Sequence, residues 1–519
     1  MGSTFTYPGV YIEELPSGQH TITGVATSIA AFIGWANQGP VTEPVMVESW
    51  SEFQATFGGM IPGVYLGYAV YQFFLNGGSQ AYIVRLAGTD AVTASNTIEG
   101  LQFYANSPGA WGNTVSIVIS NLNTTNNTFN LQVTQTSGGQ TQTLESYTNL
   151  STVATNPQFA VTVINSDSSY ITFTPPGGAA PTSITMPTAA TSATGVTLNG
   201  GTSTTTGADG ATLTPDGATA AAFETQLTGT TTGYSLLSNV PIFNLLCVPG
   251  MTSAGIVADL QQFCATNRAF LIVDSANTAI VGTGASGLSH SGPADSTNAT
   301  LVDAYAANSA FYFPWVQAPD PQAGFRPALF PPCGFVAGIY AATDASRGVW
   351  KAPAGINASL TGALGLQYTL TDLQNGSLNT LGVNCLRQFP TYGNVVWGAR
   401  TIAGSDAAGS QWEYIPIRRL ALFLESSLYS GTQWVVFEPN AEPLWGQVRL
   451  SVGTFLQGLF LQGAFAGTTP QQAYFVKCDD ENNPESSIAM GILNIMVGFA
   501  PLYPAEFVVI QIQQLINQS

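Results

Sequence analysis

Each end of this chain carries a short apolar run with no obvious partner nearby in sequence. The first run is Thr6–Leu15 (TYPGVYIEEL), and the last, Phe507–Ile512, follows a turn at 501–504. A strand at a chain terminus presents unpaired N–H and C=O groups along one edge. We therefore expect the terminal strand to pair with a neighbouring copy of the protein.

Length and composition describe a large folded protein with few charges. A chain of 519 residues is too long for one ordinary domain and predicts two to four. Apolar residues make up 45% and can build real cores, whereas charged residues make up only 8%, about a third of the usual share. A folded chain with so few charges has a surface that is either largely uncharged, as in secreted proteins, or buried against other subunits.

The charge balance and the cysteines exclude several classes of function. A formal charge of −18 opposes binding to nucleic acid. Five scattered cysteines without a C-x-x-C pair indicate small buried side chains in a reducing compartment, with neither a disulfide framework nor a zinc site. With no signal peptide and no apolar run of about 20 residues, we expect synthesis in the cytoplasm and no direct insertion into a membrane.

Strands and helices alternate in the first part of the chain, which is typical of a layered α/β domain. Ser49 is the expected N-cap of a helix through Phe57, with Glu52 completing a capping box. The other expected elements are a strand at Ile29–Trp35, a helix at Tyr65–Leu75 and a strand at Ala81–Leu86.

The composition changes after Gly88, where Thr, Ser, Asn, Gly and Ala dominate as far as Thr232. A disordered linker and an inserted β-rich domain compete here, and we favour the insertion, ordered in its first half and loosely packed in its second. The expected strands of this region are Thr114–Ile119, Phe129–Val133, Val161–Ile164 and Tyr170–Phe173.

The alternating pattern resumes at Pro241 and predicts a largely parallel sheet. In the helix Ser253–Thr266 we expect Ile256, Leu260 and Phe263 to face inward. The further helices are Asn298–Asn308 and Pro332–Ala342, and the strands are Ile242–Val248, Ala269–Asp274 and Ala310–Val316.

A third region, from Trp397 to Ile516, combines helices with extended runs. The helices are expected at Ile417–Tyr429 and Gly446–Ala464. The extended runs are Trp434–Phe437, Ala473–Cys478 and Ile492–Phe499, ahead of the terminal run.

Candidate chemistry is sparse. The motif Gly282–Gly287 (GTGASG) fits G-x-G-x-x-G, with Asp303 near the spacing of a ribose-binding acid, but 55 glycines would produce it by chance about 0.6 times. His20 and His290 lack the spacing of a metal site, and no nucleophile elbow surrounds His290. We therefore expect no catalytic residue, no metal and no cofactor.

Several long phrases, in order along the chain, resemble the tail sheath proteins of contractile phages and related extracellular injection systems. They cover about 1–88 and 235–519 and include YPGVYIEELPSG, GVATSIAAFIGWANQGP, NSAFYFPWVQAPDP, RGVWKAP, LNTLGVNCLRQFPTYGNVVWGARTIAG, GTQWVVFEPNAEPLW, AYFVKCDDENNP and GFAPLYPAEFVVIQI. The inserted region lacks a comparable match apart from LESYTNLS at Leu144–Ser151.

This resemblance implies an α+β and α/β multidomain fold with a C-terminal α/β sheath domain completed by inter-subunit strand exchange, a central α/β domain and an inserted β-rich outer domain. The expected divisions are an arm at 1–24, a central domain at 25–88 plus 235–375, the outer domain at 89–234, an inner sheath domain at 376–505 and a linking strand at 506–519.

The resemblance also assigns residues to the exchange between subunits. The linking residues are Tyr7, Val10, Tyr11, Ile12, Phe507, Val508, Val509, Ile510 and Ile512. The receiving strands contribute Tyr474, Phe475, Val476, Ile492, Leu493, Ile495 and Val497.

Family members stack as hexameric rings around an inner tube, so the implied partners are further copies of the chain, the tube protein, baseplate and terminator or cap proteins, and sister sheath proteins. The expected place of action is a phage tail or a released tail-like particle. Candidates for contact with the tube are Arg418, Arg419 and Arg449. Because Gly446–Ala464 carries only Arg449, a grip by charge is in doubt for that helix.

Two alternatives remain open on the sequence alone. One is a nucleotide-binding α/β enzyme that uses Gly282–Gly287, and the other is a static shell or lattice protein.

Overall fold

A computed structural model describes residues 20–137, 140–200, 204–281 and 304–511. These residues divide into two compact units. The larger unit is Ala26–Arg419, and the smaller unit combines the chain up to Val25 with the chain from Leu420 onward.

The structure has mixed α/β character with several separate sheets. Its strands within the described residues are β1 (Ala30–Trp35), β2 (Val45–Val47), β3 (Ala81–Leu86), β4 (Ser95–Ile98), β5 (Leu101–Ala105), β6 (Val115–Asn123), β7 (Thr128–Ser137), β8 (Gln140–Ser151), β9 (Ile171–Thr172), β10 (Val196–Thr197), β11 (Thr204–Thr205), β12 (Leu245–Cys247), β13 (Phe270–Asp274), β14 (Ser309–Phe313), β15 (Val316–Asp320), β16 (Arg326–Phe330), β17 (Gly365–Leu366), β18 (Val383–Phe389), β19 (Gly393–Val396), β20 (Tyr474–Lys477) and β21 (Met496–Phe499). Its helices are α1 (Trp50–Phe57), α2 (Tyr65–Leu75), α3 (Ala160–Asp167), α4 (Ala220–Leu227), α5 (Ala254–Thr266), α6 (Cys333–Arg347), α7 (Asp372–Asn379), α8 (Ile415–Gly431), α9 (Glu442–Leu461), α10 (Pro470–Ala473) and α11 (Glu485–Ala489).

The larger unit is built on an eight-stranded sheet in the order β19-β18-β14-β13-β12-β1-β3-β2. Its six inner strands are mutually parallel, and β2 and β19 close the two edges in antiparallel pairing. Every residue of β1, β12, β13 and β14 is buried, as expected of parallel strands covered on both faces. The predicted parallel sheet is therefore confirmed. Residues 383–396 add β18 and β19 to this sheet, although the sequence groups them with the C-terminal domain.

The helices near the first strands follow the sequence closely. The Ser49 side chain accepts from the Glu52 N–H at the start of α1, while the Glu52 carboxylate accepts from the Glu48 N–H rather than closing the box on Ser49. Helix α2 has the predicted bounds. It packs against α6, where a Cβ at Gly334 would overlap the backbone of Ala69.

Residues 95–205 form two four-stranded sheets, β10-β6-β7-β8 and β11-β4-β5-β9. They enclose their own hydrophobic core, which includes Phe103, Ile117, Phe129 and Leu131. The described part of this region is thus β-rich and packed around its own core, and it is not a disordered linker. From residue 175 to 232 the described elements are β10, β11, α4 and one 3₁₀ turn at Gly217–Thr219.

Arg85 on β3 sits where this β-rich region leaves the large sheet. Its buried guanidinium donates to the carbonyls of Ala36 (2.7 Å), Gly39 (2.6 Å) and Pro108 (2.8 Å). Burial lowers the pKa of Arg85 to about 10, so the side chain stays charged at neutral pH. The Arg85 side chain thereby links β3 to the segment 36–39 and to the segment around Pro108.

Two expectations for the larger unit are wrong. The predicted strand Val161–Ile164 is part of helix α3, because Val161 and Ile164 are three residues apart and both face the core of the β-rich region. In α5 the buried residues are Val257, Leu260, Gln261 and Cys264, so Leu260 faces inward as expected. Ile256 and Phe263 are only partly buried, Phe263 against the rings of Tyr234 and Phe243. Gln261 can be buried because its side-chain amide donates to Ser309 Oγ at 2.8 Å.

The smaller unit contains the two expected helices, seen as α8 from Leu420 onward and as α9. The predicted strand Trp434–Phe437 is wrong, because Gln433–Val435 forms a 3₁₀ turn and Val436 and Phe437 are exposed. In the larger unit, the predicted helix Asn298–Asn308 is described only at its end, where Ala306–Asn308 forms a 3₁₀ turn. In the part of the chain that the structure covers, no helix is both long and apolar enough to cross a membrane.

Candidate strand-exchange site

Strands β20 and β21 form a two-stranded antiparallel ribbon in the smaller unit. Tyr474 pairs with Phe499, Phe475 with Gly498, and Val476 with Val497. A two-stranded ribbon is marginally stable alone and needs a further layer or further strands. The ribbon therefore brings together four of the predicted receiving residues, Tyr474, Phe475, Val476 and Val497, in a sheet open to extension.

One face of the ribbon is covered by its own chain. The Tyr474 hydroxyl donates to Gln457 Oε1 on α9 at 2.8 Å, and the Phe465 ring lies 6.1 Å from the rings of both Tyr474 and Phe499. Burial at this face raises the pKa of Tyr474. Since Val476 and Val497 share the face, α9 acts as the second layer for the ribbon.

The other face is exposed. Phe475 and Met496 are 53% and 52% exposed, although both are large and apolar. The Phe475 ring lies over Gly498, where a Cβ would overlap it. An aromatic ring over a strand glycine supports a residue that lacks a side chain to pack. This face carries apolar surface that the described residues leave in solvent.

The loop from β20 to β21 is held by side-chain amides. The Asn494 N–H donates to Asn483 Oδ1 at 2.6 Å, and the Asn482 amide donates to the carbonyls of Lys477 and Asn494. The Ile492 N–H donates to the Ser487 carbonyl at 2.9 Å. Because this loop uses the backbone of residues 492–494, the strand begins at Met496, and Ile492, Leu493 and Ile495 lie before it. The predicted run Ile492–Phe499 is therefore too long at its start.

The ribbon has two long edges. Among the residues that the structure describes, the outer edge of β20 has no strand partner. Beside β21 the chain supplies one bridge, between Phe465 and Pro501, and one hydrogen bond from the Ala466 N–H to the Ala500 carbonyl. Open edges of this kind accept extended segments from other chains.

The described part of the C-terminal run is exposed. Phe507, Val508, Val509 and Ile510 are 75–82% exposed and form no strand with the residues that the structure describes. Four consecutive apolar side chains exposed to solvent are typical of a segment that binds another molecule. The remaining linking residues, Tyr7, Val10, Tyr11, Ile12 and Ile512, lie outside the described residues.

The three arginines proposed for tube contact occupy different settings. The Arg418 guanidinium lies 4.9 Å from the Trp412 ring and donates to Asn308 Oδ1 at 3.2 Å. Arg449 on α9 pairs with Glu442 at 2.5 Å and donates to the Cys478 carbonyl, so it ties the helix to the end of β20. The hydrogen bond that Arg449 donates to the Glu442 carboxylate raises the pKa of Arg449.

Arg419 is buried inside the larger unit. Its guanidinium donates to both carboxylate oxygens of Asp344, at 2.9 and 2.6 Å, and to the Thr27 carbonyl at 2.9 Å. Both charged side chains are 3% exposed. A guanidinium enclosed in this way cannot reach a second protein while the unit is folded, which contradicts a tube contact at this position.

The described residues contain no group of three or more His, Cys, Asp or Glu side chains placed to hold a metal ion. All five cysteines are buried free thiols, as the sequence predicts. Burial raises the pKa of Cys385 to about 12, which keeps that thiol protonated. The motif Gly282–Gly287 lies outside the described residues.

The sequence does not predict the exposure and backbone conformation of Phe437 in the smaller unit. Phe437 is fully exposed and has a φ of 71°, in the left-handed region that bulky side chains rarely adopt. Nothing in the local sequence signals this conformation.

Residues 241–402 match the family model for the phage tail sheath protein central domain. A tail sheath protein of Vibrio phage KVP40 is 27% identical over 159 residues, 30% of this chain and 22% of that protein. A putative prophage major tail sheath protein of Pseudomonas aeruginosa is 25% identical over 182 residues, 34% of this chain and 44% of the relative. The chain thus spans less than half the length of these curated relatives.

Solved structures are similar over nearly the whole chain. The sheath complex of an extracellular contractile injection system, PVC, in its contracted state has a TM-score of 0.58 at 21% identity and covers 100% of both chains. The helical sheath of the anti-feeding prophage, also contracted, has a TM-score of 0.57 at 22% identity, covering 98% of this chain and 100% of that one. A sheath tail protein of Listeria innocua has a TM-score of 0.59 at 13% identity, with coverage of 89% and 90%.

Proposed function

We infer that this chain, which belongs to the tail sheath family and carries its central domain at residues 241–402, is the structural subunit of a contractile sheath. It polymerises around an inner tube and shortens to drive that tube through a target envelope. The observation that carries this function is the β20–β21 ribbon, an incomplete sheet with an open edge in a chain whose C-terminal apolar run is exposed.

Strand exchange joins the subunits in this proposal. The linking runs Thr6–Leu15 and Phe507–Ile512 of neighbouring copies add to the ribbon of each subunit. A backbone hydrogen bond contributes about 0.5–1.5 kcal/mol net, so a strand making about four bonds along β20 adds about 2–6 kcal/mol. Pairing through the backbone needs no particular side chain, which suits repeated identical contacts.

Exchange by both ends joins different surfaces of neighbouring copies, so the contact is head-to-tail. A head-to-tail contact of this kind generates rings or an open helical polymer, depending on the rotation between copies. We propose stacked hexameric rings. The segments Pro16–Thr23 and Leu502–Ala505 act as hinges, so that the globular parts rotate during contraction while the shared sheets persist.

The proposed domains follow the sequence divisions, with one modification. The arm at 1–24, the outer domain at 89–234 and the linking strand at 506–519 are retained. The central domain, 25–88 plus 235–375, takes up the strands of residues 383–396, because these extend its sheet. The inner sheath domain then holds α9 and the ribbon.

The proposed partners are further copies of this chain, an inner tube protein, a baseplate, a terminator or cap protein and sister sheath proteins. A baseplate is named for one structural relative, that of the anti-feeding prophage, with a TM-score of 0.56 at 21% identity. Nucleic acid is not among the partners, because a charge of −18 repels phosphate. Of the residues offered for tube contact, Arg418 and Arg449 remain candidates.

The function is tested by blocking the backbone of the exposed run. Pro at positions 508 and 510 removes two N–H donors from the proposed linking strand. Val508→Pro combined with Ile510→Pro should leave the isolated chain folded, because both side chains are exposed, and should abolish striated tubes in electron micrographs.

The matched control is Val508→Thr combined with Ile510→Thr, which keeps both N–H groups and a β-branched shape and should still polymerise. Tubes of normal length from the Pro variant would contradict exchange through this segment. Flat lattices from the unaltered chain would instead indicate a static shell protein.

A further inference from the structure

Phe437 is an aromatic side chain held out in solvent by a fixed loop. The Val436 N–H donates to the Gln433 carbonyl and the Glu438 N–H to the Val435 carbonyl, at 3.3 and 3.1 Å. Asn440 anchors the end of the loop, accepting from Trp445 Nε1 at 2.8 Å. A bulky residue in the left-handed region is strained, and such strain is retained mainly at functional positions. The loop thus presents Phe437 ready to enter a partner.

The same unit contains a groove that is open to receive such a side chain. It runs along one face of α9, between the segment 20–24 and Phe423 of α8, and has a volume of about 450 Å³. Phe455 and Leu459 line it, and at Gly458 a Cβ would meet no atom within 4 Å. We call this cavity the α9 groove.

The α9 groove holds a polar atom that its own chain leaves unpaired. Ser451 is 2% exposed, lines the groove, and its Oγ has no hydrogen-bond partner in the described structure. A buried hydroxyl without a partner is costly, and such groups are usually satisfied by water or by a bound molecule. Ser451 therefore points to an occupant that brings a backbone N–H or C=O along with an apolar side chain.

We propose that the α9 groove of one subunit receives Phe437 from a second copy of this chain. Charge favours this partner, because Glu438 follows Phe437, while the described groove lining contains His20 and no acidic residue. In a chain with 29 acidic residues, a lining free of carboxylates is a place where a loop carrying Glu438 meets no like charge.

The area of this contact limits its role. One Phe side chain buries about 150–250 Å², far below the roughly 1,000 Å² that a stable interface needs. The Phe437 contact therefore strengthens a polymer that is already joined by strand exchange. In this respect the inference rests on the proposed function. Since each copy carries both Phe437 and the α9 groove, the same contact can form between successive copies in the polymer.

Cross-linking tests the contact directly. Chains with Phe437→Cys are mixed with chains carrying Gly458→Cys and oxidised, with Gly453→Cys as the matched control on the same helix. The five native thiols are buried and give little background. We expect a disulfide between the two different chains with Gly458→Cys and at least tenfold less with Gly453→Cys.

Normal tubes without this cross-link, or equal cross-linking of the control, would overturn the contact and leave the proposed function standing. A selective cross-link without any tubes would support the contact and count against the sheath function. The absence of both tubes and cross-link would refute both.

Assembly measurements give a second readout. Phe437→Asn should fold at least as well, because Asn tolerates a left-handed φ, yet should raise the concentration needed for polymerisation about 10- to 100-fold. Gly458→Leu fills the groove and should have a similar effect, whereas Gly453→Leu should have none. If the two sites contact each other, the double variant loses little more than either single variant, and fully additive losses would overturn the proposal.

Discussion

The buried pair of Arg419 and Asp344 gives the sharpest test of how the larger unit is held together. Replacing Arg419 with Met keeps a long apolar side chain but removes three hydrogen bonds, two to Asp344 and one to the Thr27 carbonyl. It also removes the cation that lies 4.7 Å from the Tyr340 ring. The Asp344 carboxylate, 3% exposed, would then have lost its paired charge.

Breaking a buried ion pair from one side typically costs about 3–5 kcal/mol, because it leaves an uncompensated charge. Arg419→Met should therefore lower the free energy of unfolding of the larger unit by about that amount. Arg419→Met combined with Asp344→Leu should recover most of the loss, since neither charge then remains buried.

The assay is urea unfolding followed by tryptophan fluorescence, in the non-polymerising background of Val508→Pro and Ile510→Pro. Arg418→Met is the matched control, because Arg418 precedes Arg419 on the same helix, is only partly buried and donates to a neutral amide. It should cost about 1 kcal/mol. An unchanged unfolding free energy for Arg419→Met, together with weaker binding to a tube, would show that Arg419 faces outward and refute the reasoning.

Two further predictions concern single buried groups in the larger unit. Burial raises the pKa of Asp274 to about 6, against the lowering effect of the Gly250 and Cys333 N–H groups, so its contribution to stability is complete below about pH 4 and is lost as pH rises through 6. The difference in unfolding free energy between the unaltered chain and Asp274→Asn should change by up to about 3 kcal/mol between pH 4 and 8, and a pH-independent difference would contradict this titration. Gly233 has a φ of 60°, and a Cβ there would overlap the Leu227 carbonyl, so Gly233→Ala should lower the thermal midpoint clearly more than Gly217→Ala, where φ is 73° but the space is open. Equal shifts for the two glycine variants would show that backbone strain alone, and not the overlap, sets the cost.

Elements with a strong local pattern were predictable from the sequence. Helix α2 and strand β3 have the predicted bounds, and β1 differs by one residue. In each case the secondary structure is set by residues within a few positions of one another. In α2 these are the apolar residues at helical spacing and the Asn-Gly-Gly sequence that ends the helix. Short apolar runs were less secure, because four residues fit a helix as well as a strand, as Val161–Ile164 shows.

The candidate site was predictable in part. The alternating residues of β20 and the exposed C-terminal run follow from the sequence pattern, and the resemblance to sheath proteins linked them. The start of β21 was not predictable from the pattern, because it depends on the hydrogen bond that the Asn494 N–H donates to Asn483 Oδ1. Phe437 and Ser451 also gave no signal, because a strained φ and an unpaired hydroxyl become visible only when the chain is folded.

Local patterns in the sequence predicted the alternation of strands and helices, the β-rich character of the region after Gly88 and the apolar run near the C-terminus, since these depend on composition and on periodicities of two to four residues. Which charges are buried and which strands are neighbours became visible only in the folded structure. Arg419 is paired with Asp344, 75 positions away, and with the Thr27 carbonyl, 392 positions away. Such partners are chosen by the packing of the whole unit, and no local pattern encodes them.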